Sequence, residues 1–512
     1  MRILGLSFQF HDAAATVIED GKILYASHSE RYSKKKNDPF LNRQMVHQCL
    51  KFGKPDVIAL HEKSWLKKIR NIYGGNWNAL REPTMSQWIR EFYPELKDIP
   101  IKTFLHHESH AAAGVMTSTF DDCAVMVIDA IGEFDTASIW HWRKGHLKKI
   151  HSTKFPSSLG LFYSAMTAHV GLKPMEDEYV LMGMAAYGKP HFADAMNTEF
   201  FTDPDCKISK DAISMKKNLQ RGVPTNYLSR DKCRTVDEYG HTRLDYDIAA
   251  SAQAVAEKRI FEYARHAQKA TKSQNLVFMG GVALNCVANS KLFTMYENVH
   301  IMPNPGDAGS SLGAAALHYY NITKKKIEWT GAYLGNNIEG AYPIKKALAS
   351  LLKGEIFGIA NGKAEFGPRA LGNRTLSADP RGNKIKDKVN KIKRRQEFRP
   401  FAPIILQEHV HEYFEMPGLV SDAPYMQYVA RCKKPDEFPA IVHADGTSRV
   451  QTVNEQQHPE LYELMTQFYN ETGCPMILNT SLNVKGMPIV NDERDARIFE
   501  DQYNVPVHIK DD

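Results

Sequence analysis

Short β-rich runs alternating with helical stretches constrain this chain most. ILGLSF (3–8), DVIAL (56–60), CAVMVIDAI (123–131), NLVFMGG (275–281) and GEIFGIAN (354–361) are followed by glycines or by helix-forming segments, the longest being DIAASAQAVAEKRIFEYARHAQKATK (247–272). Such alternation predicts strands and helices stacked in α/β layers. The start reads as a hairpin: ILGLSF, a polar turn around His11 and Asp12, then AAATVIE, a second turn at Asp20-Gly21, and KILYAS. A chain of 512 residues exceeds one ordinary core, so two or three domains are expected. The best boundary lies near 325 to 345, where KKKIEWTGAYLGNNIEG clusters lysines, glycines and asparagines. The reading is a larger domain over 1–335 and a smaller one over 336–512.

Composition excludes several classes. No apolar run is long enough to cross a bilayer, and MRILGLSFQFHD lacks the pattern of a secretory signal, so a cytoplasmic protein is expected. Seven cysteines (Cys49, Cys123, Cys206, Cys233, Cys286, Cys432, Cys474) are scattered and never stand as C-x-x-C, which reads as reduced thiols. The net charge of +6 is small beside 65 basic and 59 acidic groups. It permits a polyanionic partner without requiring one.

FLHHESHAAAG (104–114) crowds three histidines and a glutamate ahead of an alanine run. As a helix it puts His106 and His110 on one face at i and i+4, with His107 and Glu108 pointing elsewhere. That spacing lets two imidazoles share a metal ion, and it equally describes a polar helix start whose histidines bond to water or backbone. Other polar groups sit where strands should end. Asp129 closes CAVMVID, Gly280 and Gly281 close NLVFMGG, and Asp307 lies in NPGDAGSSLGAAA ahead of a helix. In α/β proteins these positions face the ligand crevice, and together they point to a nucleotide and a metal. Two imidazoles and two carboxylates suit Fe²⁺, Mn²⁺ or Zn²⁺.

The last third holds a denser polar block: NGKAEFGPRALGNRTLSADPR, KIKRRQEFRPFAP, SRVQTV and ILNTSLN. Arg369, Arg399, Arg449, Lys393, Ser481 and Asn479 are the residue types a phosphate or carboxylate needs. Interleaved prolines and glycines build fixed loops here rather than a free charged face. KIKDKVNKIKRR (384–395) has Ile385, Val389 and Ile392 at helical core spacing, so many of its charges form a solvated face.

HDAAA, HHESH, FPSSLGLFYSA, EYVLMGMAAYG, GGVALNCVAN, NPGDAGSSLGAA, EFGPRALGNR, FRPFAP and ILNTSLN, in this order, resemble the O-carbamoyltransferase family of nodulation-factor and antibiotic biosynthesis over nearly the whole chain. The resemblance implies an actin-like N-terminal domain and a YrdC-like α/β C-terminal domain. It implies ATP and carbamoyl phosphate as co-substrates, with Mg²⁺, and a carbamoyl-adenylate whose carbamoyl group passes to a hydroxyl. By the same resemblance His106, His110, Asp129 and Asp307 are metal ligands, with iron the expected ion and Mn²⁺ or Zn²⁺ as alternatives. Lys393, Arg369, Arg399, Arg449, Asn479 and Ser481 hold carbamoyl phosphate and ATP phosphates; Gly280, Gly281 and Asn285 line the adenylate pocket; His11 is the base for the acceptor hydroxyl. The chain departs from the family near its end, with Leu482 where a phenylalanine is expected and MPIVNDERDA where a threonine-proline turn is expected.

No motif specifies the acceptor. KSWLKKIRNIYGGNWNALREPTMSQWIR (63–90) interleaves Trp65, Trp77 and Trp88 with basic residues. That pattern offers Lys67 and Arg70 as phosphate contacts and Trp77 as a base-stacking residue, and an amphipathic surface helix has the same composition. Three readings stand: carbamoyl transfer to a small-molecule alcohol, the same chemistry on 5-hydroxymethylcytosine in DNA, and a non-catalytic actin-fold nucleotide binder. The intact block from EFGPR to NTSLN counts against the third.

Overall fold

The computed structural model describes residues 1–201, 236–382 and 384–511; Cys206 and Cys233 lie outside the described residues. The chain packs as two compact units, one of Met1–Pro55 with Ile327–Asp512 and one of Asp56–Lys326. This differs from a single cut between residues 335 and 336, because the first 55 residues join the C-terminal part. Turn chemistry and periodicity are local, and the choice of packing partner is not.

The opening hairpin forms as its turns dictate. β1 (Arg2–Ser7) and β2 (Ala14–Glu19) run antiparallel with Ser7 opposite Ala14, and β3 (Lys22–His28) returns beside β2 with Glu19 opposite Lys22. Asp20 and Gly21 both have positive φ, 49° and 91°, as a two-residue loop matching strand twist requires.

The unit of residues 56–326 holds a parallel strand pair and, separately, a five-stranded sheet. β4 (Val57–Leu60) pairs in parallel with β5 (Ile101–Thr103), and helix α1 (Ser64–Tyr73) lies between them in the chain. After helix α2 (His106–Thr117), β6 (Asp122–Ile128), β7 (Asp135–Arg143) and β8 (His146–Lys154) form an antiparallel meander. Beyond the long helix α3 (Arg243–Thr271), β9 (Asn275–Met279) returns parallel to β6 and β10 (Asn298–His300) parallel to β9, which gives the five-stranded order β10-β9-β6-β7-β8. Helix α4 (Ser310–Thr323) packs on α2.

Small residues let α2 sink into this layer. Ala111, Ala112 and Ala113 are fully buried. A Cβ on Gly114 would come within 2.4 Å of Val277 Cγ1 on β9, and one on Gly313 of α4 within 1.9 Å of the Ser109 carbonyl oxygen. The alanine run and these two glycines thus carry the histidine-rich turn into the interior.

The remaining strands belong to the unit with the hairpin. β11 (Tyr333–Ile338) packs against β3 and pairs with a strand, β13, that follows β12 (Phe357–Ala360) and spans Gly362–Glu365. β14 (Arg374–Ala378), helix α5 (Ile385–Lys393), β15 (Ala402–Leu406), β16 (Phe414–Glu415), β17 (Tyr428–Cys432), β18 (Thr447–Val453), helix α6 (Pro459–Thr472), β19 (Met476–Ser481), helix α7 (Glu493–Tyr503) and β20 (Val507–His508) follow. Eight of the strands make a sheet in the order β16-β17-β18-β15-β19-β14-β12-β20. Its core gathers Leu376, Val389, Leu478, Leu482, Phe499 and Val507, with Ile385 buried and Ile392 packed against it. Leu482 is fully buried in that core, and a Cβ on Gly358 would meet Leu482 Cδ1 at 2.8 Å. The smaller side chain is therefore packed directly over backbone.

Arg374, inside the EFGPRALGNR block, is a strut. Fully buried, its guanidinium donates to the carbonyls of Asn336, Asn361, Gly362, Asn373 and Asn491. Glu365 beside it accepts from the backbone N–H groups of Leu371, Asn373 and Arg374 at 2.7, 2.9 and 3.2 Å. Among the described residues no helix is long and apolar enough to cross a membrane.

Candidate metal and anion sites

Helix α2 turns His106 and His110 to one side, and two carboxylates meet them there: Asp129, the first residue past β6, and Asp307, in the turn before α4. His106 Nε2 lies 3.0 Å from Asp129 Oδ2 and 3.4 Å from Asp307 Oδ1; His110 Nε2 lies 3.2 and 3.3 Å from the same two atoms. The two Nε2 atoms are 3.1 Å apart. A tetrahedral ion bound at about 2.0–2.1 Å places its ligand atoms about 3.3–3.4 Å apart, so this donor set fits a divalent cation with little movement. All four residues are buried, with His110 fully enclosed.

The electrostatics agree. Burial disfavours the imidazolium of both rings, yet Asp307 and Asp129 outweigh it and hold His106 well above the ordinary histidine range and His110 above it. Burial and the charge of Asp307 press Asp129 upward, and its bonds to the two imidazoles reverse this, leaving it below the usual carboxylate range. A site that concentrates negative charge on two adjacent ring nitrogens is a cation site in the making.

Backbone geometry closes around Asp129. Its Oδ1 accepts from the N–H groups of Ala130 at 2.8 Å and Gly281 at 3.3 Å. Gly280 holds φ at +90°, and a Cβ there would lie 2.2 Å from the Ile128 carbonyl oxygen, so only glycine allows this approach. Asn285 is used differently. Its amide exchanges hydrogen bonds with Gln253 of α3 at 3.0 and 3.1 Å and accepts from Ala288 N as a helix cap.

A polar layer surrounds the α2 start. Glu133 accepts from the backbone N–H of His106, 3.1 Å from each carboxylate oxygen, and from Lys63 N at 2.9 Å, placing negative charge at the helix N-terminus. Glu62 lies 3.9 Å from His106 Nδ1 and 2.6 Å from Lys67 Nζ. His107 faces β7, where its Nδ1 lies 2.8 Å from Ser138 Oγ. Sequence reasoning missed Glu62 and Glu133. The strand-end rule that selected Asp129 applies equally to His61 and Glu62 after β4, and would have found one of them.

Lys67, Arg70 and Trp77 do not form one phosphate-gripping face. Lys67 pairs with the buried Glu62, and Arg70, itself buried, donates to Asn71 Oδ1 at 2.8 Å and to the Gly132 carbonyl. A helix buries one side, and these two basic residues lie on it. Trp77 is 68% exposed, as are Trp65 and Tyr73 in large part.

In the other unit Lys393 is buried at the end of α5. Its ammonium donates to Ser481 Oγ at 3.1 Å, Asn483 Oδ1 at 2.7 Å and the Ser481 carbonyl, and among the described residues it has no carboxylate partner. Burial, then Arg395, Arg399 and Lys36, push its pKa well below the ordinary lysine value. Asn479, two residues before Ser481 on β19, donates to Ala370 O at 2.9 Å and Gln451 Oε1 at 2.8 Å. Arg449 shares a face of β18 with Gln451, and its buried Nε has no hydrogen-bond partner among the described residues. Arg369 adjoins Ala370 and is half-buried, as is Arg399. The structure thus brings Lys393, Ser481 and Asn479 together and sets cations around them; it adds Asn483, Gln451 and Arg395, which sequence reasoning did not select. His11 sits in the β1–β2 turn of the same unit, its Nδ1 3.2 Å from Asp12 Oδ2, and is partly exposed.

Comparison with known proteins covers both parts of the chain. Residues 52–316 match the family description "Carbamoyltransferase N-terminus" and residues 348–508 match "Carbamoyltransferase C-terminus". An uncharacterized protein, sll1178, of Synechocystis is 33% identical over 96% of this chain and 93% of its own. Nodulation protein NolNO of Sinorhizobium fredii is 30% identical over 95% of this chain and 76% of its own. The 3'-hydroxymethylcephem-O-carbamoyltransferase of Amycolatopsis lactamdurans is 28% identical over 96% and 94%. Likeness to solved structures is slight: T. kodakarensis HypF gives a TM-score of 0.34 at 13% identity over 64% of this chain and 49% of that one, a level that carries no functional argument. With both regions of the family matched in order along one chain, and with relatives of 30% identity or more spanning nearly all of it, this protein is an enzyme of the carbamoyltransferase family.

Proposed function

We propose that the enzyme is an ATP-dependent O-carbamoyltransferase that makes carbamoyl-adenylate in a YrdC-like C-terminal part and passes the carbamoyl group to an acceptor hydroxyl in an actin-like N-terminal part. The observation that carries this reading is Lys393, a buried ammonium ringed by further cations and lacking any carboxylate among the described residues. Such a group is stable when an anion joins it.

Carbamoyl phosphate and ATP are that anion in this reading. Water cleaves carbamoyl phosphate to carbamate and phosphate, and a carbamate oxygen then attacks the α-phosphorus of ATP, expelling pyrophosphate. Lys393, Arg369, Arg399 and Arg449 spread the charge of the in-line displacement while Ser481 and Asn479 orient the phosphates, and Mg²⁺ accompanies the ATP. The adenylate lies against the Gly280-Gly281 turn, with Asn285 at its edge. The acceptor oxygen, relieved of its proton by His11, attacks the carbamoyl carbon and AMP leaves. Bound by His106, His110, Asp129 and Asp307, a divalent ion, Fe²⁺ first and Mn²⁺ or Zn²⁺ as alternatives, would supply Lewis-acid stabilisation of phosphate charge.

The acceptor is a small-molecule alcohol in the primary reading, since Lys67 and Arg70 are engaged inside their own unit. Hydroxymethylated DNA is the second reading, favoured by the exposed aromatic side chains of Trp65, Tyr73 and Trp77. The five described cysteines are free and buried, in keeping with a reducing cytoplasmic setting. The test is mass spectrometry of sugars, other alcohols and hydroxymethylated DNA incubated with protein, ATP and carbamoyl phosphate. A carbamoyl mass on one acceptor, dependent on both co-substrates, is the expected result. No transfer to any hydroxyl, with ATP left intact, would overturn the proposal.

A further inference from the structure

We infer that Glu62, held by Lys67, is the positioning partner of His106, completing a Lys67–Glu62–His106 relay behind the metal-ligand set. The inference rests on the reading of His106 as a ligand and goes beyond it by assigning two residues that no motif marks. When His106 Nε2 faces a cation, its ring proton must sit on Nδ1, and that proton needs an acceptor. Nδ1 is buried and has no hydrogen-bond partner among the described residues. The carboxylate facing it is Glu62, whose Oε2 lies 3.9 Å away, one short side-chain adjustment from a hydrogen bond.

Everything around Glu62 keeps that carboxylate in place and charged. It is buried, and Lys67 Nζ, 2.6 Å from Oε1, supplies the countercharge while leaving Oε2 for the histidine. His61, fully enclosed beside it, has Nε2 3.9 Å from the same Oε2. The loop bearing Glu62 is tied to the start of α2 twice over. Glu133 bridges the backbone N–H groups of Lys63 and His106, and Ser109 Oγ donates to the His61 carbonyl at 3.0 Å. Arg70 braces the same corner through the Gly132 carbonyl. The two basic residues of α1 that resemble phosphate contacts in sequence therefore act inward, on the carboxylate behind His106 and the turn beside it.

Removing an outer partner of a metal-bound histidine typically weakens metal binding about 10- to 100-fold. Glu62→Gln leaves one amide oxygen, which Lys67 retains, so His106 loses its acceptor. Because that variant also takes the countercharge from the half-buried Lys67 ammonium, Glu62→Leu/Lys67→Met serves beside it, removing the acceptor and the ion pair together. The measurement is Zn²⁺ affinity by chelator competition on full-length protein, with the visible spectrum of the Co²⁺-substituted form and the thermal midpoint of the metal-free form. The expected result is an affinity loss of about 10- to 100-fold and an altered Co²⁺ spectrum in both variants, with the metal-free double variant as stable as wild type. Wild-type affinity and spectrum in the double variant would overturn the relay while leaving the ligand set intact. Wild-type protein that binds neither ion would overturn the ligand reading itself.

Discussion

His106 Nε2 and His110 Nε2 face each other at 3.1 Å across one turn of a buried helix. Two protonated nitrogens would repel at that distance, and a shared cation relieves the contact. Replacing His110 with alanine should abolish stoichiometric metal binding and carbamoyl transfer while far-ultraviolet circular dichroism stays unchanged. Zn²⁺ or Mn²⁺ at 100 times its dissociation constant should stabilise the wild type by about 2.7 kcal/mol and leave His110→Ala unmoved. Equal metal-induced stabilisation of the two proteins would refute the ligand assignment.

The two half-reactions should separate by mutation. Arg449, whose buried Nε has no partner among the described residues, is assigned to the anion site, so Arg449→Ala should suppress pyrophosphate release from ATP and carbamoyl phosphate. His11→Ala should still release pyrophosphate yet transfer carbamoyl groups about 10²–10⁴-fold more slowly. Equal loss of pyrophosphate release in both would show the division of roles to be wrong.

Lys393 gives a signature in pH. Burial, and then Arg395, Arg399 and Lys36, hold its folded pKa well below the ordinary value. Between that lowered value and about 10.4 the unfolded chain binds more protons than the folded one, so stability rises with pH by up to about 1.4 kcal/mol per unit. Below the window both states are protonated and the folded protein bears the whole cost. Urea unfolding at a series of pH values should show this slope in the wild type and a shallower one in Lys393→Met. Inorganic phosphate should stabilise the wild type most at the low end of the window, where the ammonium form must be held. Parallel pH profiles for the two proteins would rule out the assignment.

Arg374 should behave as structure rather than as substrate contact. It satisfies five carbonyl groups, those of Asn361, Asn373 and Asn491 buried and those of Asn336 and Gly362 partly so, and each buried one left unmet costs about 1–3 kcal/mol. Arg374→Ala should lower stability by about 4 kcal/mol or more in chemical denaturation. A loss under about 1 kcal/mol would mean that water replaces the guanidinium without penalty.

Trp77 distinguishes the acceptors. With a small alcohol, Trp77→Ala should leave the transfer rate unchanged. With DNA it should weaken binding by about 1–3 kcal/mol without altering the salt dependence. Lys67→Met should act through metal affinity in either case, so a shallower salt slope in that variant would restore Lys67 to the DNA surface.

The sequence by itself determined the local pieces. Asp20-Gly21 specified its hairpin turn, HHESHAAAG specified a helix with two histidines on one face, and the spacing of Ile385, Val389 and Ile392 specified a half-buried helix, because turn geometry and periodicity act over a few residues. Ordered motifs also fixed the family, and with it the expectation that Asp129 and Asp307 join His106 and His110. Tertiary structure decided what spacing cannot carry. It placed the first 55 residues with the C-terminal part, sank α2 against β9 through Gly114, and turned Lys67 and Arg70 inward to Glu62 and Gly132. A charge reads the same in sequence whether it faces water or a buried carboxylate. Only the packed chain fixes which, because the free energy of a charge depends on the groups around it more than on its neighbours in the chain.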